Sequence, residues 1–120
     1  MEKQYTLAEK VVQQQLDAYN QGNLEAFANC YAEDVLMYNF PENEAQLEGK
    51  KRLEEIYQTI FAKSPNLHCE LRNRIVLDNQ IIDHESITGM ADKPTFEAVA
   101  IYRVSGDKIT HCWFMYPDGE

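Results

Sequence analysis

A hairpin centred on Asp78-Asn79 constrains the fold of this chain most. Aspartate and asparagine tolerate the positive φ angles of a two-residue turn, and the residues on both sides of them are typical of β-strands. With that turn, antiparallel pairing places Arg74 opposite Asp83 and Arg72 opposite Glu85. One face of the predicted hairpin therefore carries two pairs of opposite charge, which suggests a polar site on a sheet. The other face pairs Ile75 with Ile82, Asn73 with His84 and Leu71 with Ser86.

Apolar and polar residues continue to alternate up to residue 116, which predicts a four-stranded antiparallel meander. The predicted strands span residues 67–77, 80–90, 95–104 and 108–116. If Ser105-Gly106-Asp107 is a three-residue turn, Trp113 and Met115 share a face with Ile75 and Ile82. Cys112, Phe114 and Tyr116 then point to the opposite side.

The first half of the chain has helical spacing instead. Thr6-Leu7-Ala8-Glu9 is a capping box, and the apolar residues after it predict a helix to about Gln21. Asn23 caps a second, short helix in which Leu24, Phe27 and Tyr31 share a face. A short strand at 35–40 and a third helix ending before Ser64-Pro65 follow. The order α-α-β-α-β-β-β-β predicts an α+β fold with the helices packed on one face of a curved sheet.

Composition indicates the size of the domain, the expected location of the protein and the partners that it is unsuited to bind. The 120 residues, 44% of them hydrophobic, are expected to form one domain over 1–120. A net charge of −9 argues against binding to nucleic acid or to an anionic membrane. Three widely spaced cysteines favour free thiols, and the polar N-terminus is unlike a signal peptide, so a cytoplasmic location is expected. Without a long apolar run, no membrane span is predicted.

Four segments follow one another along the chain: Ala18-Tyr19-Asn20-Gln21-Gly22-Asn23-Leu24-Glu25, Tyr31-Ala32-Glu33-Asp34-Val35, Ile82-Asp83-His84-Glu85-Ser86-Ile87-Thr88-Gly89, and Ala100-Ile101-Tyr102-Arg103-Val104 with Gly106-Asp107-Lys108-Ile109. In this order they resemble the cone-shaped fold of nuclear transport factor 2, and more narrowly its SnoaL-like and ketosteroid isomerase-like members. The resemblance covers nearly the whole chain. It implies a pocket between the helices and the concave sheet face, and a homodimer through the convex face. The same cone hosts isomerases, cyclases, hydrolases and non-catalytic binders, so the resemblance does not define a reaction.

The catalytic residues of the known subfamilies are not preserved. The tyrosine, base and later acid of ketosteroid isomerases fall on Gln15, Asn39 and Ala100, and an amide cannot abstract a proton. The His-Trp-Asp run of SnoaL-type cyclases corresponds to Cys112-Trp113-Phe114. The acid, arginine and acid set of limonene epoxide hydrolases is imitated by Asp83, Arg72 and Glu85, but only by analogy.

Glu85 remains the best candidate for a general base, because it is an acid on the predicted concave face. Continued register places Ala100 beside Glu85 and Ala98 beside Ile87, which leaves room in front of the carboxylate. The competing interpretation is a structural ion pair, in which an arginine would lower the pKa that burial raises. Tyr19 lies one turn beyond Gln15 and can present a phenol to the pocket, or serve as core.

A mainly apolar small molecule is the expected ligand, because aromatic residues accompany the polar ones. The candidate ligand-binding residues are Arg72, Arg74, Asp83, Tyr38, Asn39, Tyr57, Ala100, Tyr102 and Phe114. His84 and His111 are expected on the convex side and His68 at the pocket mouth. No metal motif is present, and neither a metal nor another cofactor is expected. The alternative to a proton-transfer enzyme is a non-catalytic ligand-binding or dimerisation module.

Overall fold

Three helices precede most of the sheet in the computed structural model, which describes residues 5–117. They are α1 (Leu7–Gln21), α2 (Leu24–Asn29) and α3 (Lys50–Lys63). The Thr6 hydroxyl oxygen accepts a hydrogen bond from the Glu9 amide at 3.0 Å, so the predicted N-terminal cap is confirmed. Gly22 ends α1 with φ of 65°, a left-handed conformation that glycine adopts at little cost. None of the helices within residues 5–117 is long and apolar enough to cross a membrane.

Six strands form one sheet in the order β2-β1-β6-β5-β4-β3. The last four strands are the predicted antiparallel meander, while β1 pairs with β6 in parallel. The strands are β1 (Tyr31–Asn39), β2 (Leu47–Glu48), β3 (His68–Leu77), β4 (Gln80–Thr88), β5 (Phe96–Ser105) and β6 (Lys108–Met115). Helix α1 packs across β3 to β6 and α3 packs on β1. The face toward the helices is called the inner face below, and the opposite one the outer face. The α+β fold class is confirmed.

The boundary between α2 and β1 differs from the sequence-based prediction. Tyr31 is the first residue of β1 rather than part of the second helix, and β1 is longer than the predicted strand at 35–40. Helical spacing placed Tyr31 on one face with Phe27, and the two rings are indeed in contact, with centroids 5.1 Å apart. The contact forms across the turn at Cys30 that ends α2, and pairing with β6 takes up the backbone groups of Tyr31.

The β3–β4 hairpin has the predicted two-residue turn and one bulge. Asp78 adopts φ of 53°, and Arg74 pairs with Asp83 as predicted. Beyond Asn73 the prediction is wrong, because Arg72 bulges out of the ladder and Leu71 pairs with Glu85. The extra residue turns Cys69 and Leu71 to the inner face. It leaves Arg72 exposed, beside Glu70 at 3.3 Å.

A second bulge sets the orientation of β6. Ser105 pairs with Lys108, so the turn has two residues, one fewer than the sequence analysis assumed. Thr110 then bulges out of the ladder, and Arg103 pairs with His111. The Thr110 hydroxyl donates a hydrogen bond to the Arg103 carbonyl at 3.3 Å. The bulge restores the predicted alternation, so Cys112 points to the inner face and Trp113 to the outer face.

Candidate functional site

The inner face and the helices enclose a cavity of about 590 Å³. Apolar side chains form much of its wall: Leu16, Ile60, Ile87, Met90, Phe96 and Ala98. Residues 92–94, in the loop between β4 and β5, also line it, as do Tyr116 and Pro117 after β6. A cavity of this size, mostly apolar and with a few polar groups, is typical of sites for small molecules.

Glu85 is the buried acid of this cavity. It lies on β4 between Leu71 of β3 and Ala98 of β5, and is 7% exposed. The predicted neighbour was Ala100, which instead pairs with Asp83, two residues along the strand. The small side chain beside Glu85 is therefore Ala98, which leaves the carboxyl group open to the cavity.

The pKa of Glu85 is raised from 4.5 to about 7. Burial is the largest cause, because it disfavours the charged form, and the negative charge of Asp83 adds to it. A hydrogen bond from the Cys69 thiol and the positive charge of Arg74 oppose this rise in pKa without cancelling it. Glu85 can thus exchange a proton near neutral pH.

Of the two ion pairs that the hairpin predicted, Arg74–Asp83 is formed, whereas Arg72 contacts Glu70 instead of Glu85. The Arg74 Nε and Nη2 atoms donate to the two Asp83 carboxylate oxygens at 2.7 and 2.9 Å. Arg74 also donates to Gln13 Oε1 at 2.9 Å and lies 3.8 Å from the Glu9 carboxylate. Neither Arg74 nor Asp83 lines the cavity. This buried ion pair links the sheet to α1, so we assign it a structural role.

Tyrosine hydroxyls supply further polar groups. Tyr31 donates to Gln15 Oε1 at 3.0 Å, and both side chains line the cavity. Tyr19, Tyr57 and Tyr102 also line it, and their hydroxyls make no hydrogen bond within residues 5–117. Burial raises the pKa of all three above 10, so they remain neutral donors at physiological pH.

Cys69 was missed by the sequence analysis, because regular pairing would have turned it outward. Its backbone is held by Asn20 of α1, whose Oδ1 accepts from the Cys69 amide at 2.7 Å and whose Nδ2 donates to the Cys69 carbonyl at 3.0 Å. These two bonds satisfy backbone groups of β3, an edge strand of the sheet. They hold the Cys69 thiol near Glu85, where burial raises the thiol pKa.

The structure separates the sequence-based candidates into two groups. Those that line the cavity are Glu85, Tyr19, Tyr57, Tyr102 and Phe114. Those outside it are Arg72, Arg74, Asp83, Tyr38, Asn39 and Ala100. Tyr38 stacks on Trp113 on the outer face, with ring centroids 5.6 Å apart, while Asn39 lies half-buried beside Phe114 of β6. Ala100 is fully buried between β4 and β6.

Periodicity in the sequence indicated some of the remaining cavity residues but not others. Ile87, Ala98 and Phe96 alternate with outward residues, so the strand pattern already placed them on the face of Glu85. Leu16 and Ile60 follow from helical spacing. Met90 and residues 92–94 belong to a loop, where no periodicity applies, and only the folded chain brings them to the cavity.

The three histidines lie away from the cavity lining. His68 pairs with Thr88 and is exposed, so the prediction that it reaches the pocket mouth is wrong. His84 contacts Glu97 at 2.7 Å, and His111 stacks on Trp113 on the outer face. Within residues 5–117, no group of three or more His, Cys, Asp or Glu side chains could hold a metal ion.

Solved structures with the same architecture define the fold class. A cystatin-fold protein from Novosphingobium aromaticivorans superposes with a TM-score of 0.82 at 20% identity, covering 92% of this chain and 98% of that chain. An LEH-like epoxide hydrolase from M. tuberculosis has a TM-score of 0.78 at 10% identity, covering 92% and 83%. A protein with a ketosteroid isomerase-like fold from Catenulispora acidiphila, in complex with trimethylamine, has a TM-score of 0.74 at 16% identity, covering 91% and 86%.

These similarities place the chain in the nuclear transport factor 2-like fold class. The family is narrower, because the model of the SnoaL-like domain matches residues 12–112. The chain therefore belongs to the SnoaL-like family, as its sequence motifs indicated. No curated protein sequence matches it. At these identities the structural neighbours establish the fold and leave the reaction open.

Proposed function

We propose that this chain binds a small, mainly apolar molecule in the inner cavity and acts on it by proton transfer through Glu85, in a reaction of the isomerase, cyclase or hydrolase type. The state of the Glu85 side chain supports this proposal most. Glu85 is a buried carboxyl group with a pKa of about 7 that faces an apolar cavity and forms no ion pair with the described residues.

A carboxyl group in this state suits general acid–base chemistry. Proton transfer is most efficient when the pKa of the catalytic group lies near the working pH. As a base, the Glu85 carboxylate accepts a proton from a substrate C–H group or from a water molecule, and as an acid it returns it. The free hydroxyls of Tyr19, Tyr57 and Tyr102 can donate to oxygen that gains negative charge in the transition state.

The ketosteroid isomerase mechanism does not fit these residues. Of the three positions that carry it, Gln15 is an amide hydrogen-bonded to Tyr31, and Asn39 and Ala100 lie outside the cavity lining. The proposed chemistry is therefore carried by β4, where Glu85 is located, rather than by the equivalents of the isomerase residues. The epoxide hydrolase analogy is also incomplete, because Asp83 and Arg74 neutralise each other away from the cavity.

A screen with matched variants tests this proposal. Steroids, polyketide-like aromatics and terpenoids, including their epoxides, are assayed by thermal shift and the compounds that bind are assayed for turnover. We expect Glu85→Gln to lose turnover even at saturating substrate, whereas Glu48→Gln, which removes an exposed carboxylate, keeps it. Full turnover by Glu85→Gln would contradict the catalytic role. Binding without turnover in the wild type would favour the non-catalytic ligand-binding module.

We further propose a homodimer through the outer face. Ile75, Leu77 and Met115 are 54%, 67% and 38% exposed. Ile82 of β4 and Ile101 of β5 connect Ile75 to Trp113 of β6 across the outer face. A contiguous apolar surface on a sheet is typical of an interface between subunits. Closed two-fold pairing would bury the same residues in both copies.

A further inference from the structure

We propose that the ligand of the inner cavity is an organic cation, an amine or quaternary ammonium group on an apolar body, with its charge against Glu85. This inference rests on the proposed function of the cavity as a small-molecule site and names the class of molecule that the site takes. It follows from the charges around Glu85, from the aromatic lining and from the net charge of the chain.

Glu85 lacks a positive partner in the part of the chain that the structure describes. Arg74 donates to both carboxylate oxygens of Asp83 and to Gln13, so its donors are used outside the cavity. Lys93 is the one basic residue among the described residues that line the cavity, and its Nζ lies 5.9 Å from the centroid of the Phe96 ring. A buried carboxylate without a counter-charge is costly, and a cationic ligand would remove that cost.

Aromatic rings surround the same space. Seven of the described residues that line the cavity are aromatic, and they come from α1, β1, α3, β5, β6 and the segment after β6. Tyr19 and Tyr57 contact each other edge to face, with ring centroids 6.4 Å apart. Aromatic faces attract ammonium groups, most strongly where water is excluded. An acid within an aromatic cavity therefore matches a cation better than it matches an anion or a neutral molecule.

The charge of the whole chain acts in the same direction. A net charge of −9 attracts cations toward the protein and repels anions. Among the described residues that line the cavity, Asp92 and Lys93 carry opposite charges that cancel in the sum, which leaves the negative charge of Glu85. A ligand that carries a carboxylate would meet repulsion both at long range and inside the site.

The pH dependence of binding follows from the groups that face Glu85. Five are tyrosine hydroxyls, from Tyr19 of α1, Tyr31 of β1, Tyr57 of α3, Tyr102 of β5 and Tyr116 after β6. Two are thiols, from Cys69 of β3 and Cys112 of β6. The charges of Arg74 and Asp83 also act on Glu85. Burial raises the pKa of each of these hydroxyls and thiols, so they stay neutral near pH 7 while Glu85 ionises. The ionised form binds a cation, whereas the protonated form favours a neutral acceptor.

Two probes of equal shape and different charge test the proposal on the full chain. Phenyltrimethylammonium carries a permanent positive charge, and tert-butylbenzene is its neutral isostere. With calorimetry or ligand-observed NMR, we expect the cation to bind more tightly than its isostere at pH 8. Its affinity should fall on the order of 100-fold between pH 8 and pH 5, as Glu85 takes up a proton. The affinity of the isostere should not fall in this range.

Variants separate the cavity from the acidic surface. At pH 8, Glu85→Gln is expected to lower the affinity for the cation by about tenfold or more, because a buried charge pair is lost. Its affinity for tert-butylbenzene should stay within about twofold of the wild-type value. The exposed control Glu48→Gln should change neither. Filling the cavity with Ala98→Leu or, nearer the loop, with Met90→Trp should weaken both probes.

Each opposite result overturns a defined part of the argument. If the cation keeps its affinity in Glu85→Gln, its charge does not lie against Glu85 and the inference is wrong. If it keeps its affinity in both cavity-filling variants, it binds outside the cavity and the inference is also wrong. If tert-butylbenzene binds the cavity and the cation does not, the inference fails while the small-molecule function stands. If neither probe nor any compound of the wider screen binds the wild type, both proposals fail.

Discussion

Replacing Glu85 by glutamine should change how stability depends on pH. An ordinary glutamate titrates at 4.5, and the pKa of Glu85 in the folded chain is about 7. Between these values the folded protein holds a proton that the unfolded chain releases, so raising the pH through this window destabilises the fold. At 1.36 kcal/mol per pH unit, the difference amounts to about 3 kcal/mol. Glu85→Gln lacks this titration and avoids the loss.

Urea unfolding of both proteins at pH 4 and pH 8.5 measures this difference. The fluorescence of Trp113, the single tryptophan, reports the transition. We expect the free energy of unfolding of Glu85→Gln, relative to the wild type, to rise by about 3 kcal/mol from pH 4 to pH 8.5. Subtracting the wild type at each pH removes the contribution of the other carboxylates. Glu48→Gln, at an exposed position, should show no such rise. A constant difference between Glu85→Gln and the wild type would refute the raised pKa, and with it the burial argument.

Three further predictions concern the buried ion pair, the backbone at Gly89 and the outer face. Arg74→Met removes the partner of the buried Asp83 carboxylate, so the free energy of unfolding should fall by about 3 to 5 kcal/mol in urea titrations, and a loss below about 1 kcal/mol would show that the pair is not structural. Gly89→Ala should lower the melting temperature, because its Cβ would lie 2.0 Å from the Asn66 carbonyl oxygen and φ is +76°; an unchanged melting temperature would contradict this close approach. Trp113→Glu places a charge on the apolar outer face and should yield monomers by light scattering, whereas an unchanged mass would argue against that dimer interface.

The fold was predictable where local patterns decide it. Helical spacing located α1 and α3, and the turn at Asp78-Asn79 determined the first pairs of the β3–β4 hairpin. The predicted boundary between α2 and β1 was wrong, because both elements can take up the same residue. Tyr31 follows the helical spacing of α2, but its backbone pairs with Ile109 of β6, far along the chain. Local propensity carries no information on such a partner.

The candidate site was predictable in part, for a similar reason. Strand alternation turned Glu85 to the inner face, and helical spacing did the same for Tyr19; their chemical roles stay predictions. The arginine expected to pair with Glu85 was misplaced, because the bulge at Arg72 shifts the register of β3 by one residue. The same bulge brings Cys69 to the cavity, where no sequence pattern had indicated it.

The sequence by itself determined the order of the helices and of every strand except the two-residue β2, together with the hairpin turn, the net negative charge and the acid on β4. Each of these depends on a residue and its near neighbours. Tertiary structure decided that Arg74 neutralises Asp83, that Glu85 lies buried without a basic partner among residues 5–117, and that a cavity opens in front of it. Burial and charge pairing depend on atoms brought together from distant parts of the chain. A one-residue bulge, which no alternation reveals in advance, changes which side chains meet.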